Sequence, residues 1–167
     1  MADDKRVYLF DSTLRDGAQT QGVDFSVNDK LAIAEGLDRI GVDYVEGGWP
    51  GANPTDDAFF GAPPAFKRAK FVAFGMTRRP GRSAANDPGL NALLNAKTHA
   101  VCMVGKSWDF HVDVALGISR AENVDMISES VDYARQRSGE VMFDCEHFFD
   151  GYKANPAYAL ECAAAAY

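Results

Sequence analysis

Short apolar runs alternate with amphipathic stretches along the whole chain. Val7-Tyr8-Leu9-Phe10 is an apolar run ending in polar residues, which predicts a buried strand feeding a loop. Ser26 followed three positions later by Asp29 has the form of a capping box. Val27, Leu31, Ala34, Leu37 and Ile40 continue at helical spacing until Gly41 stops the run. Val42 to Val45 is the next predicted strand, ending in Glu46-Gly47-Gly48. A short helix is expected from Asp56, broken by Pro63-Pro64. Phe71 to Phe74 is a third strand, Asp87 to Ala96 is helix-like, and Ala100 to Val104 is a fourth strand closed by Gly105. Ser119 with Glu122 caps a helix whose stripe is Val124, Ile127, Val131 and Ala134, and Ser138-Gly139 ends it. Val141-Met142-Phe143 is a fifth strand. Asn155-Pro156 then reads as a cap followed by proline at the first helical position, opening an Ala-rich helix to Tyr167.

The repeated strand-helix pattern requires parallel strands joined by helical crossovers, an α/β fold. Two architectures fit five such units. One is a flavodoxin-like sheet with helices on both faces. The other is the first five units of an eight-fold (β/α) barrel of TIM-barrel type, which needs roughly 250 residues. The 167 residues favour the first by length, while the pattern is equal between them.

Composition narrows the partners. The chain is 47% hydrophobic and 25% charged with a net charge of -7, and no Lys/Arg cluster forms a basic face, so no nucleic-acid partner is expected. The small basic group Arg78, Arg79 and Arg82 sits in a Pro/Gly loop that could meet a phosphate-bearing ligand. Three widely spaced cysteines, Cys102, Cys145 and Cys162, give no metal-finger or redox motif. Met1 to Arg6 is polar and no apolar run is long enough to span a bilayer, so no membrane partner and a cytoplasmic location are expected.

In either architecture the chemistry lies at the carboxyl ends of the strands. Strand one ends in Asp11, Arg15 and Asp16; strand two in Glu46; strand three leads to Thr77 and Arg78; strand four to Lys106 and Ser107; strand five to Asp144, Glu146 and His147. Acids, cations and a histidine are what a divalent cation and a developing oxyanion require. Each residue also has a plainer role open to it. Asp11 can shape a turn, Arg15 and Asp16 can form a local ion pair, and Glu46 can cap a loop. His99 and His111 have no partner at ligand spacing.

The strings themselves are more specific. Asp11-Ser12-Thr13-Leu14-Arg15-Asp16-Gly17-Ala18-Gln19 resembles the signature of the metal-dependent acyl-CoA condensing and cleaving enzymes, the citramalate synthase/2-isopropylmalate synthase family. Tyr44 to Gly51, Phe74 to Arg79, Gly105 to Asp109 and Glu146 to Lys153 extend the resemblance from Val7 to Tyr167. Ser12 stands where the family more often has Thr, which conserves the hydroxyl.

The resemblance implies a parallel barrel and an acyltransferase that condenses acetyl-CoA with a 2-keto acid in branched-chain amino-acid biosynthesis. Pyruvate, giving citramalate, is the foremost substrate; the isopropylmalate and homocitrate variants are alternatives. It implies Asp16 as a ligand of a divalent metal (Mg, Mn or Zn), and Arg15 and Glu146 as catalytic. Gln19, Glu46 and Thr77 would be substrate-binding, and the full-length enzyme a homodimer. The family's two histidine ligands come from a His-x-His on a later strand that these 167 residues do not contain. The expectation is therefore the N-terminal part of one catalytic barrel, inactive by itself. A non-catalytic flavodoxin-like module that binds a small anion or a partner is the competing reading; strand one lacks the phosphate-cradling glycine loop it would need.

Overall fold

The computed structural model describes residues 6–167, so the polar stretch read at residues 1–5 lies outside the described residues. The chain falls into two compact units, one ending at Phe74 and one spanning Gly75–Tyr167.

The first unit contains β1 (Phe10–Asp11), α1 (Val27–Ile40), β2 (Tyr44–Glu46), α2 (Pro54–Gly61) and most of β3 (Lys70–Met76). α1 begins where the sequence indicates: the Ser26 hydroxyl accepts from Asp29 N–H, and the Asp29 carboxylate accepts from Ser26 N–H, so two orphan donors of the first turn are satisfied. Asn53 caps α2, with Pro54 at its first position. The strands pair in parallel, Phe10 with Tyr44 and Tyr44 with Lys70.

Two expectations are corrected in this unit. Val7, Tyr8 and Leu9 are 80%, 57% and 58% exposed, and the strand itself is only Phe10–Asp11. Among the described residues β1 pairs with β2 alone, so its apolar run lacks the cover that an interior strand has. The buried face of α1 also differs from the apolar stripe. Its buried residues are Lys30, Ala34 and Asp38, and Ile40 is 76% exposed. Both buried charges are met by partners. Asp38 accepts the backbone N–H groups of Lys67, Arg68 and Ala69 at 3.0, 2.8 and 2.8 Å, fixing the entry to β3.

The second unit holds α3 (Pro88–Asn95), β4 (Ala100–Lys106), the helical turn α4 (Asp109–His111), α5 (Arg120–Arg135), β5 (Val141–Glu146), α6 (Phe148–Ala154) and α7 (Pro156–Ala166). Asp87 and Ser119 cap α3 and α5 through their side chains. β4 and β5 run parallel, Val101 opposite Val141. Val112, Ile127, Tyr158 and Cys162 form a buried cluster, with Phe143 packed against it. α6 is not legible in the hydrophobic pattern. Among the described residues no helix is long and apolar enough to cross a membrane.

Sheet order decides between the two architectures. The strands follow one another as β1-β2-β3-β4-β5. A flavodoxin-like sheet places its first strand between the second and third, whereas a barrel adds each strand beside the last. The order is that of a barrel.

Asp38 generates a pH-dependent prediction. Burial pushes its acid up, but the three N–H donors and the charge of Arg68 outweigh this and hold it below the ordinary value of 3.8. A depressed carboxylate contributes stability above its unfolded value and loses it as pH falls through the folded one. Asp38→Ala is expected to cost about 1–3 kcal/mol in urea unfolding at pH 7, with the gap to wild type narrowing below pH 3.8.

Candidate functional site

The loop after β1 is shaped by its own side chains. Asp11 accepts from Thr13 N–H at 3.0 Å and from the Thr13 hydroxyl at 3.1 Å. The Ser12 carbonyl accepts from Arg15 N–H and Gly17 N–H, both at 3.1 Å. Asp11 is therefore a turn-former here, the plainer of its two roles. The turn buries Leu14 completely and turns Arg15 toward β2.

Arg15 makes three contacts that fix its guanidinium. Its Nε donates to Glu46 Oε2 at 2.8 Å, its Nη1 to Asp16 Oδ1 at 3.2 Å, and the group lies 3.9 Å from the centre of the Phe74 ring. Glu46 has no exposed surface. A buried carboxylate is costly without a charged partner, and removing one member of such a pair typically costs 3–5 kcal/mol. The Arg15–Asp16 pair read from the sequence exists, but the stronger contact is to Glu46. Asp16 itself keeps 65% of its side chain exposed.

A cavity of about 360 Å³ opens beside this pair, lined by Arg15, Gln19, Trp49, Asn53, Thr55 and Asp56 among others. Arg15, Asp16 and Glu46 thus form one connected set, and Gln19 shares the cavity with Arg15.

The glycines after Glu46 have steric reasons. A Cβ on Gly47 would lie 2.3 Å from the Phe71 ring, and one on Gly48 would lie 2.6 Å from Asp56 Cγ. Gly48 also has φ 144. The Asp56 carboxylate fits against it, taking Trp49 N–H at 2.8 Å and Asn53 Nδ2 at 3.1 Å, with the Lys30 ammonium as ion-pair partner.

The second unit holds the remaining candidates. Glu146 pairs with Lys106, and the Ser107 hydroxyl donates to the Glu146 carbonyl at 2.8 Å. Thr77 is 7% exposed and its N–H donates to Val104 O at 3.2 Å. Arg78 is buried and ion-paired with Glu129, so that side chain is engaged inside the protein; this removes it from the phosphate role open to the basic loop. His147 begins α6 in the left-handed region, φ 52, with its ring 4.8 Å from that of His111. Behind β4, Asn123 Nδ2 donates to the Lys106 carbonyl at 2.8 Å and to the Tyr158 hydroxyl at 2.9 Å. Burial pushes the Cys162 thiol in this cluster up to about 11, which makes it a poor nucleophile.

The hydrophobic pattern missed Lys30, Asp56 and Phe74, and missed Lys106 as the partner of Glu146. One signal was available for Lys30. It stands four residues before Ala34 and eight before Asp38, on the row that α1 buries.

Residues 6–167 match the family described as HMGL-like, and the chain belongs to that family. It is 52% identical over 164 residues to an (R)-citramalate synthase of Aquifex aeolicus, covering 97% of this chain and 31% of that protein. It is 49% identical over 159 residues to the (R)-citramalate synthase of Streptomyces coelicolor, covering 93% and 30%. A 2-isopropylmalate synthase of Prochlorococcus marinus is 38% identical over 152 residues, covering 86% and 27%. The chain thus spans about 30% of the length of these relatives. Among solved structures, a hydroxymethylglutaryl-CoA lyase from Pseudomonas aeruginosa aligns with TM-score 0.64 and 19% identity, over 83% of this chain and 45% of that one. The HMG-CoA lyase from Brucella melitensis gives TM-score 0.66 and 12% identity, over 95% and 59%. The fold is accordingly the parallel β/α type of these lyases, as the strand order already requires.

The Gly48 geometry predicts a steep local cost. Gly48→Ala combines an unfavourable φ with a Cβ overlapping a carboxylate that Lys30 holds in place. The expected loss is about 2–4 kcal/mol, read as a fall in the thermal unfolding midpoint.

Proposed function

We propose that the chain is part of an acyltransferase that condenses acetyl-CoA with a 2-keto acid, pyruvate foremost, to give citramalate. The observation that carries this reading is Arg15, a cation held at the end of β1 by a fully buried carboxylate and opening on a cavity. The naming of the relatives above as (R)-citramalate synthases supports the substrate pair.

The chemistry assigns each group a task. A base takes a proton from the acetyl methyl group, and the resulting enolate carbon attacks the keto carbon of the acceptor. The keto oxygen takes up a proton, and water then cleaves the thioester to release free CoA. Negative charge grows on oxygen along this path. A guanidinium already fixed in place stabilises that charge without reorganising. Glu46 acts through Arg15, holding its Nε and so setting the direction of the remaining N–H groups. Gln19, on the same cavity, would hydrogen-bond the acceptor. Glu146, fixed by Lys106, and Thr77 are assigned to the acetyl and keto-acid groups on the strength of the resemblance.

A divalent metal belongs to this reading. Asp16 suits it as one hard oxygen donor, exposed and adjacent to Arg15. Among the described residues no three His, Cys, Asp or Glu side chains gather as a metal-holding group, so Asp16 is one ligand of a set rather than the set. When bound, such an ion polarises a carbonyl as a Lewis acid. We further assign the full-length protein to a single catalytic barrel, a homodimer, and the cytoplasm.

The test supplies full-length protein with a divalent metal, acetyl-CoA and, separately, pyruvate, ketoisovalerate and ketoglutarate. Release of free thiol fastest with pyruvate is expected; ketoisovalerate as the best acceptor would favour the isopropylmalate reading, to which the 38% relative belongs. No release with any acceptor sinks the proposal. Asp16→Ala is expected to abolish metal-dependent turnover, and full activity in that variant would remove Asp16 from the metal site. Arg15→Lys keeps the charge but loses the fork that spans Glu46 and the cavity; it is expected to lower kcat by about 10²-fold or more.

A further inference from the structure

We propose that Lys30 is a positioning residue for the Arg15–Glu46 pair, acting through the peptide groups on either side of it. Lys30 lies on α1 and is 3% exposed. Its ammonium has three N–H donors and three acceptors around it: the Leu14 carbonyl at 2.9 Å, the Gly47 carbonyl at 2.9 Å and the Asp56 carboxylate. Leu14 immediately precedes Arg15, and Gly47 immediately follows Glu46. One buried cation therefore clamps the two backbone segments that carry the pair, although they come from different strands.

The clamp extends further through Asp56. That carboxylate takes Trp49 N–H, Asn53 Nδ2 and the Lys30 ammonium, joining the loop after β2 to the start of α2. Gly48 makes room for it. Packing alone gives no reason for this arrangement. A Met or Leu at position 30 would fill the space beside Phe59 without the desolvation cost of an ammonium. What an apolar residue would not do is hold two carbonyls at fixed distance. Catalytic groups lose rate steeply when displaced by about 1 Å, by as much as 10²-fold. The positioning claim stands on geometry; its catalytic meaning rests on the role given to Arg15 above.

The test reads Arg15 directly. Full-length protein labelled with 15N-arginine gives an Arg15 Nε–H resonance, assigned by its loss in Arg15→Lys. Two variants are compared with wild type. Lys30→Met combined with Asp56→Asn removes both charges together, leaving no lone ion buried. Lys30→Arg keeps the charge but replaces three tetrahedral donors with a planar fork. Hydrogen exchange at Arg15 Nε is expected to accelerate by about tenfold or more in the double variant and by about threefold in Lys30→Arg, while backbone amides of β3 exchange at the wild-type rate. Wild-type exchange at Arg15 in either folded variant overturns the proposal, as does equal acceleration of the β3 amides. If the double variant does not fold, Lys30→Arg decides alone. Where turnover is measurable, kcat is expected to fall with KM for the keto acid unchanged. Should wild type show no turnover, the exchange measurement still decides on Lys30.

Discussion

Glu46 is a carboxylate with no exposed surface, and the surroundings of the site follow from accommodating it. A charge in that position requires a cation brought to it in a defined direction. Arg15 meets that need, and the turn built by Asp11 and Ser12 delivers it. Phe74 supports the flat face of the guanidinium, and the Asp16 contact limits its rotation. Nothing in this arrangement is adjustable one residue at a time. The glycines that follow Glu46 leave no room for a Cβ, because Phe71 and Asp56 already occupy the space. Rigidity of this kind means that a reacting group would meet a cation already in place.

Much of the fold was legible in the sequence because local signals and burial agreed. Ser26 with Asp29, Asn155 with Pro156, and Ser119 all start helices where their side chains can satisfy backbone donors. Four of the five apolar runs mark strands, and the first marks one only at its Phe10 end. Failures occurred where burial and local pattern part. Val7 to Leu9 are apolar yet exposed, since coverage is a property of neighbours that a run of residues does not encode. α6 follows His147 in a left-handed conformation and runs for only seven residues, about two turns, too short for a periodic stripe. Strand order was equally illegible: both architectures use the same repeated unit, and only the pairing tells them apart.

Residue types at strand ends drew attention to Arg15, Asp16 and Glu46, which the structure joins in one connected set. Polar partners that act from a helix were not legible in this way. Lys30 and Asp38 sit on the buried row of α1, where a hydrophobicity argument assigns them to solvent. Their burial depends on acceptors and donors supplied by residues far along the chain, Gly47, Asp56 and residues 67–69. The family resemblance supplied roles for Glu146 and Thr77 that no local pattern contains.

The consecutive order of strands bears on how such a chain assembles. Phe10 meets Tyr44, Tyr44 meets Lys70, and Val101 meets Val141, so each of these pairings closes a loop of a few tens of residues. Loop-closure entropy grows only logarithmically, about 0.6 kcal/mol per doubling. Each of these three pairings can therefore form at a similar entropic cost. Asp38, gathering the amides that lead into β3 from the helix just before β2, acts as a local latch on one such step. A nascent chain emerging from its N-terminus could in this way accumulate these pairings in the order of synthesis.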